Sequence, residues 1–521
     1  MNTKSVSKTT VICIVLSVVL AVLTLLAWLV FLPRYKAKHF TAAAPSNLSA
    51  AAPAESKAAY GDYYVSPDGN DKNNGTVDHP FRTLAAAQKA ARKTKKQYLS
   101  HVVVSIMGGT YETKGLKFTK ADSGTDSCSV IYCAYGNGEV IFDGGAGAAE
   151  TGESDGSALA EINGVSYFSL SGVSFLNAKG DGVVVKGSSN VNVDSCRVQQ
   201  TAGRGIVVSG SRVSVTSCQV SRTGASGIVV SGGNLSKLTA SENTVENNLV
   251  SYTSRLDAAA PSVWISGVGA SAAHNEIVNS PACALYYEGN NHTIEYNYIH
   301  NTLLTDCGQA AIDSPYYRWD CYGSTVRGNC IHLIGTKASG GRFIGIRPCS
   351  GTEVTQNLLL NIYGSGSVGV LLGGCRNTTV KNNIFINTGE AVNGTDYPAE
   401  HGEEAAAALQ KSPWQSQEWK KAFPACAGLS ADEKSGSYAA QPAENTITNN
   451  VSMQTTGVRV GTFFDGFRSG AAIEENALFP PGRANVFTDL DGGVYTVDKD
   501  SDVYRSMKEF ENVPFEEIGR Y

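Results

Sequence analysis

No basic stripe, base-stacking motif or phosphate-cradling glycine loop runs through this chain, and its formal net charge is −5. That gives no argument for nucleic acid and discounts nucleotide binding. No Cys-x-x-Cys pair occurs among the 12 cysteines, so zinc spacing is missing. No tight acidic cluster marks a calcium site, and no cofactor or metal is expected. Charged residues make up only 17% of the chain, whereas glycine is heavily used, at 55 residues, as suits many short strands separated by tight turns.

What is present is a repeat. A strand-length apolar phrase closed by glycine returns every roughly 22 to 35 residues: Gly182-Val-Val-Val-Lys-Gly187, Gly205-Ile-Val-Val-Ser-Gly210, Gly227-Ile-Val-Val-Ser-Gly232, Ser262-Val-Trp-Ile-Ser-Gly267, Ala284-Leu-Tyr-Tyr-Glu-Gly289 and Gly369-Val-Leu-Leu-Gly-Gly374. In phase with it runs a column of small polar residues: Cys196, Cys218, Asn243, Asn275, Asn297, Asn329, Asn357, Asn383 and Asn450. Stacked coils would set these about 4.8 Å apart, as an asparagine ladder. Alternation points Ile206, Val208, Leu285, Tyr287, Val370 and Leu372 inward and Ser209, Glu288 and Gly373 outward. The expected fold is an all-β, right-handed parallel β-helix, a solenoid that grows by stacking and escapes the size limit of a single globular core.

Other segments sort around it. After a short tail, residues 1–10, the uncharged run Val11 to Leu32 is long enough to span a bilayer and too long for an ordinary secretory segment. It reads as a single-pass transmembrane signal-anchor, with cleavage near Ala42-Ala43-Ala44 as the minority alternative. Lysines and arginines flank both ends, so the positive-inside rule does not decide orientation. Residues 33–59 form a linker, Ala-, Pro- and Ser-rich from about residue 41 and read there as a flexible tether. The β-helix domain takes residues 60–521 and is expected to be extracytoplasmic. A helix from Thr83, the N-cap, to about Lys96 is expected to cover the first coil, with Arg92 to Lys96 as its solvated last turn. A helical insertion at about 395–443, carrying Trp414 and Trp419, reads either as an overhang on a groove or as a packing flap anchored by tryptophan. Most cysteines read as small stacked hydrophobes, with Cys321 beside Cys349 and Cys375. Cys128 and Cys133 are the expected disulfide if the compartment is oxidising.

The opening Tyr64-Val-Ser-Pro, with Gly75-Thr76 and Pro80-Phe81-Arg-Thr-Leu84, is followed by His274-Asn-Glu-Ile277, Gly289-Asn-Asn-His-Thr-Ile-Glu-Tyr-Asn297, Ile299-His300, Trp414 and the ending Val513-Pro-Phe-Glu-Glu-Ile-Gly519. In this order the segments resemble the large right-handed β-helix glycoside hydrolase group that includes α-L-fucosidase and xylanase members. The resemblance covers about residues 60 to 521. It implies a carboxylate at Asp306, within Thr305-Asp306-Cys-Gly-Gln-Ala-Ala-Ile-Asp313. It also implies a second acid one coil on, where this chain has Arg347.

Read from the residues themselves, alternation puts Glu288, Asp313 and Arg347 at similar outward positions on three successive coils, about 5 Å apart. A carboxylate pair at that spacing suits a retaining glycosidase. Arg347 would either pair with Asp313 or grip a sugar acid. Tyr286, Tyr316, Tyr317, Trp319 and Trp264 cluster nearby and suit sugar rings, although Trp264 alternates less clearly than the rest. His274, His292 and His300 recur near turns; turn packing is the plainer role, with His292 also a candidate for substrate binding.

Three readings follow: a membrane-anchored glycosidase using Asp306 or Asp313 with Glu288; a polysaccharide lyase with Arg347 as base; or a non-catalytic glycan-binding or structural β-helix. The expected partner is a polysaccharide or oligosaccharide. Oligomeric state stays open.

Overall fold

The structure is a computed structural model. It describes residues 43–46, 48, 60–95, 100–145, 154–305, 308–318, 320–336, 341–364, 366–395, 398–430, 432, 443–453, 472–480 and 486–521. The expected membrane segment 11–32 lies outside the described residues; among those described, no helix is long and apolar enough to cross a membrane.

Parallel pairing joins 34 strands of the described chain into one continuous sheet wound into three faces. Face A carries the glycine-closed phrase, from Val183–Lys186 through Ile206–Ser209, Ile228–Gly232, Val263–Val268, Leu285–Asn290, Ala310–Asp313, Ile344–Ile346 and Val368–Gly373. Face B follows it in each coil, for example Thr293–Glu295, and face C completes the turn, for example Tyr298–Thr302. Alternation decides the core: Ile206, Leu285, Tyr287, Val370 and Leu372 are fully buried in the lumen, and Val208 is nearly so.

The corner between faces B and C holds the asparagine ladder. Its Asn243 rung moves five residues on, to Asn248, and a final rung, Asn476, joins it. The Asn275 Oδ1 accepts from the Asn248 amide N–H at 3.0 Å and side-chain Nδ2 at 2.9 Å, and the Asn297 Oδ1 does the same for Asn275. Each Nδ2 also donates to the coil before, as Asn275 does to the Val245 carbonyl at 2.8 Å. One amide thus satisfies turn groups on two coils. Cys196 and Cys218 fill the same column in the earlier coils, where the Cys218 N–H donates to Asn248 Oδ1 at 2.8 Å. Asn243 belongs instead to the corner between faces A and B.

The capping helix runs Leu84–Thr94, with the Thr83 hydroxyl accepting from Ala86 N–H and Leu84, Ala87 and Ala91 packed onto the first coils. Its last turn is not wholly solvated: Arg92 forks onto buried Asp122 at 2.7 and 2.8 Å. Cys128 and Cys133 are separate buried thiols, not a disulfide. Cys321, Cys349 and Cys375 stack as read, and burial pushes all three thiols up, Cys349 to about 11 and Cys375 to about 12.

Two segments fold back on the solenoid. The C-terminal strap runs along the ladder corner, with the Gln356 Nε2 donating to Asn512 O at 2.9 Å and the Tyr521 N–H to Asn247 Oδ1 at 3.0 Å. An antiparallel hairpin, Phe487–Asp489 with Val494–Val497, covers apolar residues of face C such as Leu358, Leu360, Ile384 and Ile386. Part of the expected tether docks on that hairpin: the Tyr495 hydroxyl donates to Ala43 O at 2.6 Å, the Ser46 N–H to Gly493 O at 3.1 Å, and Leu48 packs beside them. Glycine at position 493 is needed because a Cβ there would meet Ala44 O at 2.4 Å.

Candidate functional site

On face A the residues aimed away from the lumen change along the stack. Val184, Val207 and Val229 occupy one rung position in the early coils, followed in register by Trp264, Tyr286 and Asp313. Ile312 pairs with Ile346, so Arg347 comes next, and its N–H donates to Ile312 O at 2.9 Å. Trp264 therefore faces outward, and its ring meets Tyr286 edge-on at 5.7 Å.

Glu288 is not in this column. It pairs with Ser266, two positions beyond Tyr286, so the expected adjacency of Glu288 and Asp313 fails. The error comes from treating the strand Ala310–Asp313 as full length: it ends at the rung of Tyr286, and Ser314 and Pro315 leave the ladder.

Asp313 is only 1% exposed, and its carboxylate is saturated. Oδ1 accepts from Arg347 Nε at 2.7 Å and Ser314 N–H at 2.8 Å; Oδ2 accepts from Arg347 Nη2 at 2.6 Å and Ala310 N–H at 3.1 Å. The guanidinium also lies over the Tyr316 ring, 4.2 Å from its centre. Burial works against the Arg347 cation, but the charge and hydrogen bonds of Asp313 outweigh it and hold the group above its ordinary range. Arg347 thus takes the first of its two expected roles, pairing with Asp313, and is a poor proton acceptor.

A second ionic unit borders the first. Arg318 forks onto Asp320 at 3.1 and 2.8 Å and reaches Glu288 Oε1 at 2.5 Å. The Asp320 hydrogen bond is the main reason the Arg318 cation is raised above its usual range. The Glu288 side chain is 30% exposed and so is the more accessible of the two acids. Burial pushes the Tyr286 phenol up, with the charges of Glu288 and Asp313 adding to it. Tyr317 is half-buried, its ring edge-on to Tyr316 at 5.4 Å. Arg318, Asp320 and the stacking of Tyr316 were missed in the sequence, although an arginine between Asp313 and Asp320 was a readable signal. Asp306 and Trp319 lie outside the described residues.

His292 is corrected from substrate binder to structural residue. It is 1% exposed at the corner between faces A and B, on the rung of Asn243. Asn243 Oδ1 accepts from Val213 N–H at 2.9 Å, and His292 Nδ1 accepts from Ala270 N–H at 3.2 Å. Those bonds assign the proton to Nε2, which donates to Glu288 O at 3.0 Å. Burial lowers the imidazole to about 4. His274 sits at a corner stacked on Tyr296, whereas His300 is on a face-C strand beside Glu276, at 3.2 Å.

The insertion is a flap anchored by aromatics. Helices Pro398–Lys411 and Gln417–Ala422 bring Trp414, Trp419 and Phe423 into a buried cluster with Tyr322, and Trp419 Nε1 donates to Leu235 O at 3.1 Å. Tyr322 follows Asp320 by two residues, so the flap braces the segment that carries Arg318.

Residues 63–259 match the family described as Pel9A-like, right-handed β-helix region, and residues 261–401 match the right-handed β-helix region family. Both matches assign the hand of the helix. Among curated proteins, YwoF of Bacillus subtilis (strain 168) is 45% identical over 87 residues, 16% of this chain and 16% of its own length. Pectate lyase PEL9 of Emericella nidulans is 39% identical over 84 residues, 16% of this chain and 18% of its own length. The chain thus matches less than a fifth of either relative. A solved mutant of the PL6-family alginate lyase AlyGC aligns with a TM-score of 0.53 at 12% identity, covering 84% of this chain and 57% of that one; it is similar in fold.

Proposed function

We propose that this protein is a single-pass, membrane-anchored, extracytoplasmic β-helix that binds polysaccharide along face A. On this reading Trp264, Tyr286 and Tyr317 are its sugar-stacking residues and Glu288 with Arg318 its hydroxyl-binding edge. One observation carries the choice of binding over hydrolysis: all four hydrogen bonds to the Asp313 carboxylate come from groups of the protein itself. A carboxylate held this way has no lone pair directed at a substrate and no proton to give. The partial likeness to a pectate lyase supports the polysaccharide class, and the run 11–32 supports anchoring.

The hydrolase reading survives through Glu288 with Asp306, because Glu288 keeps an exposed edge beside Tyr286. The lyase reading through Arg347 is disfavoured by its pairing with Asp313. A glycan panel scored for both binding and product release tests the proposal. Binding without products, weakened by Tyr286→Ala, supports it. Products that disappear in Glu288→Gln overturn it in favour of hydrolysis. Fractionation of cells expressing the full chain tests the anchor: recovery in the soluble fraction overturns that part.

A further inference from the structure

A second aromatic position stands away from face A, at the corner where face C turns back toward it. Tyr252 directly follows the strand Leu249–Ser251 and is 56% exposed with φ of 52°. On the next two coils the same rung is Asn279 and Asn301, φ 57° and 51°. Asparagine adopts this left-handed conformation at little cost, whereas a bulky side chain does not. Coil by coil, an exposed tyrosine is the more expensive choice.

Its surroundings are cationic. Tyr252 and Asn279 line a cavity of about 460 Å³ with Arg222, Arg255, Ala258 and Pro281. Arg222 occupies the same rung one coil earlier, is exposed, and has no ion-pair partner among the described residues. Arg255 is braced against the backbone, its Nε donating to Arg222 O at 3.0 Å and its Nη2 to Thr201 O at 3.4 Å. The cavity combines a free aromatic face, two guanidinium groups and an amide within three coils.

We propose that this corner is a glycan subsite separate from face A and selective for a carboxylate-bearing sugar. The Tyr252 ring stacks on the apolar face of the sugar, Arg222 and Arg255 receive its carboxylate, and Asn279 bonds a hydroxyl. The assignment rests on the polysaccharide reading above and extends it to an acidic component of the same glycan.

The test is calorimetric titration of the full chain with a short oligogalacturonide and with its methyl-esterified, uncharged counterpart. Tyr252→Asn is expected to weaken both by about tenfold. Because it installs the residue of the neighbouring rungs, its thermal midpoint should stay level or rise. Arg222→Gln is expected to weaken only the acidic probe and to flatten its salt dependence. Unchanged affinities in both variants overturn the subsite. A wild-type chain that binds polysaccharide but neither probe overturns the subsite and leaves face A standing; a wild-type chain that binds no glycan overturns both.

Discussion

The early coils and the middle coils of face A belong to one parallel ladder and differ most in one outward rung. Val184, Val207 and Val229 occupy it first, then Trp264, Tyr286 and Asp313 in register, with Arg347 directly after the next strand, Ile344–Ile346. The lumen runs on through both, while the strands that start on face A shorten from Ile206–Thr216 to Ala310–Asp313 and Ile344–Ile346, and asparagines succeed Cys196 and Cys218 at the ladder corner. Valines at this rung suffice to build the early coils, so the aromatic rings of Trp264 and Tyr286 are not required by the ladder itself. The ionic units differ in the same way. Lys186 meets Glu161 at 2.7 Å on the early coils with its side chain 50% exposed, whereas Arg347 and Asp313 are 12% and 2% exposed.

The most damaging way to break the comparison is Asp313→Ala, which strands a buried guanidinium. It is expected to cost about 3–5 kcal/mol in denaturant unfolding. A cost below about 1 kcal/mol would show that the middle pair behaves like a surface pair. Next comes acid. His292 binds fewer protons folded than unfolded between its lowered value of about 4 and the ordinary histidine range, so stability falls as pH drops through that window. The loss should approach about 3 kcal/mol and shrink in His292→Asn, which restores the side chain used at Asn243. Thermal midpoints across the window check this.

Asn329→Ala interrupts the ladder within the middle coils and leaves the Asn297 N–H and Ile294 C=O without their partner. About 1–3 kcal/mol is expected for each buried group so exposed, read by urea unfolding. Tyr286→Ala should lower glycan affinity about tenfold, while Val207→Ala at the same rung leaves it unchanged; titration calorimetry separates them. Equal losses would erase the functional contrast between the coils. The smallest effect belongs to Lys186→Ala, within about 1 kcal/mol because its pair is solvated.

Much of this was readable without coordinates. Period-two alternation placed Ile206, Leu285 and Val370 in the lumen, and the recurring asparagine marked a corner. The Asn243 and Asn248 rungs were confused because both are buried asparagines five residues apart, at successive corners of one coil. Glu288 was misplaced for a related reason: the phrase Gln309-Ala-Ala-Ile-Asp313 is shorter than its neighbours, and counting from its ends cannot reveal where the ladder stops. The tether was read from composition, which says nothing of a groove opened by Gly493.

By itself, then, the sequence determined the solenoid, its lumen, its capping helix and the span of coils where the outward residue ceases to be bland. These depend on repeats and alternation, which are local. The tertiary structure alone decided that Arg347 locks Asp313, that Arg318 bridges Glu288 and Asp320, and that His292 serves a corner. Those outcomes depend on which rungs come into register after loops of unequal length, and on which charges share a buried neighbourhood once they do.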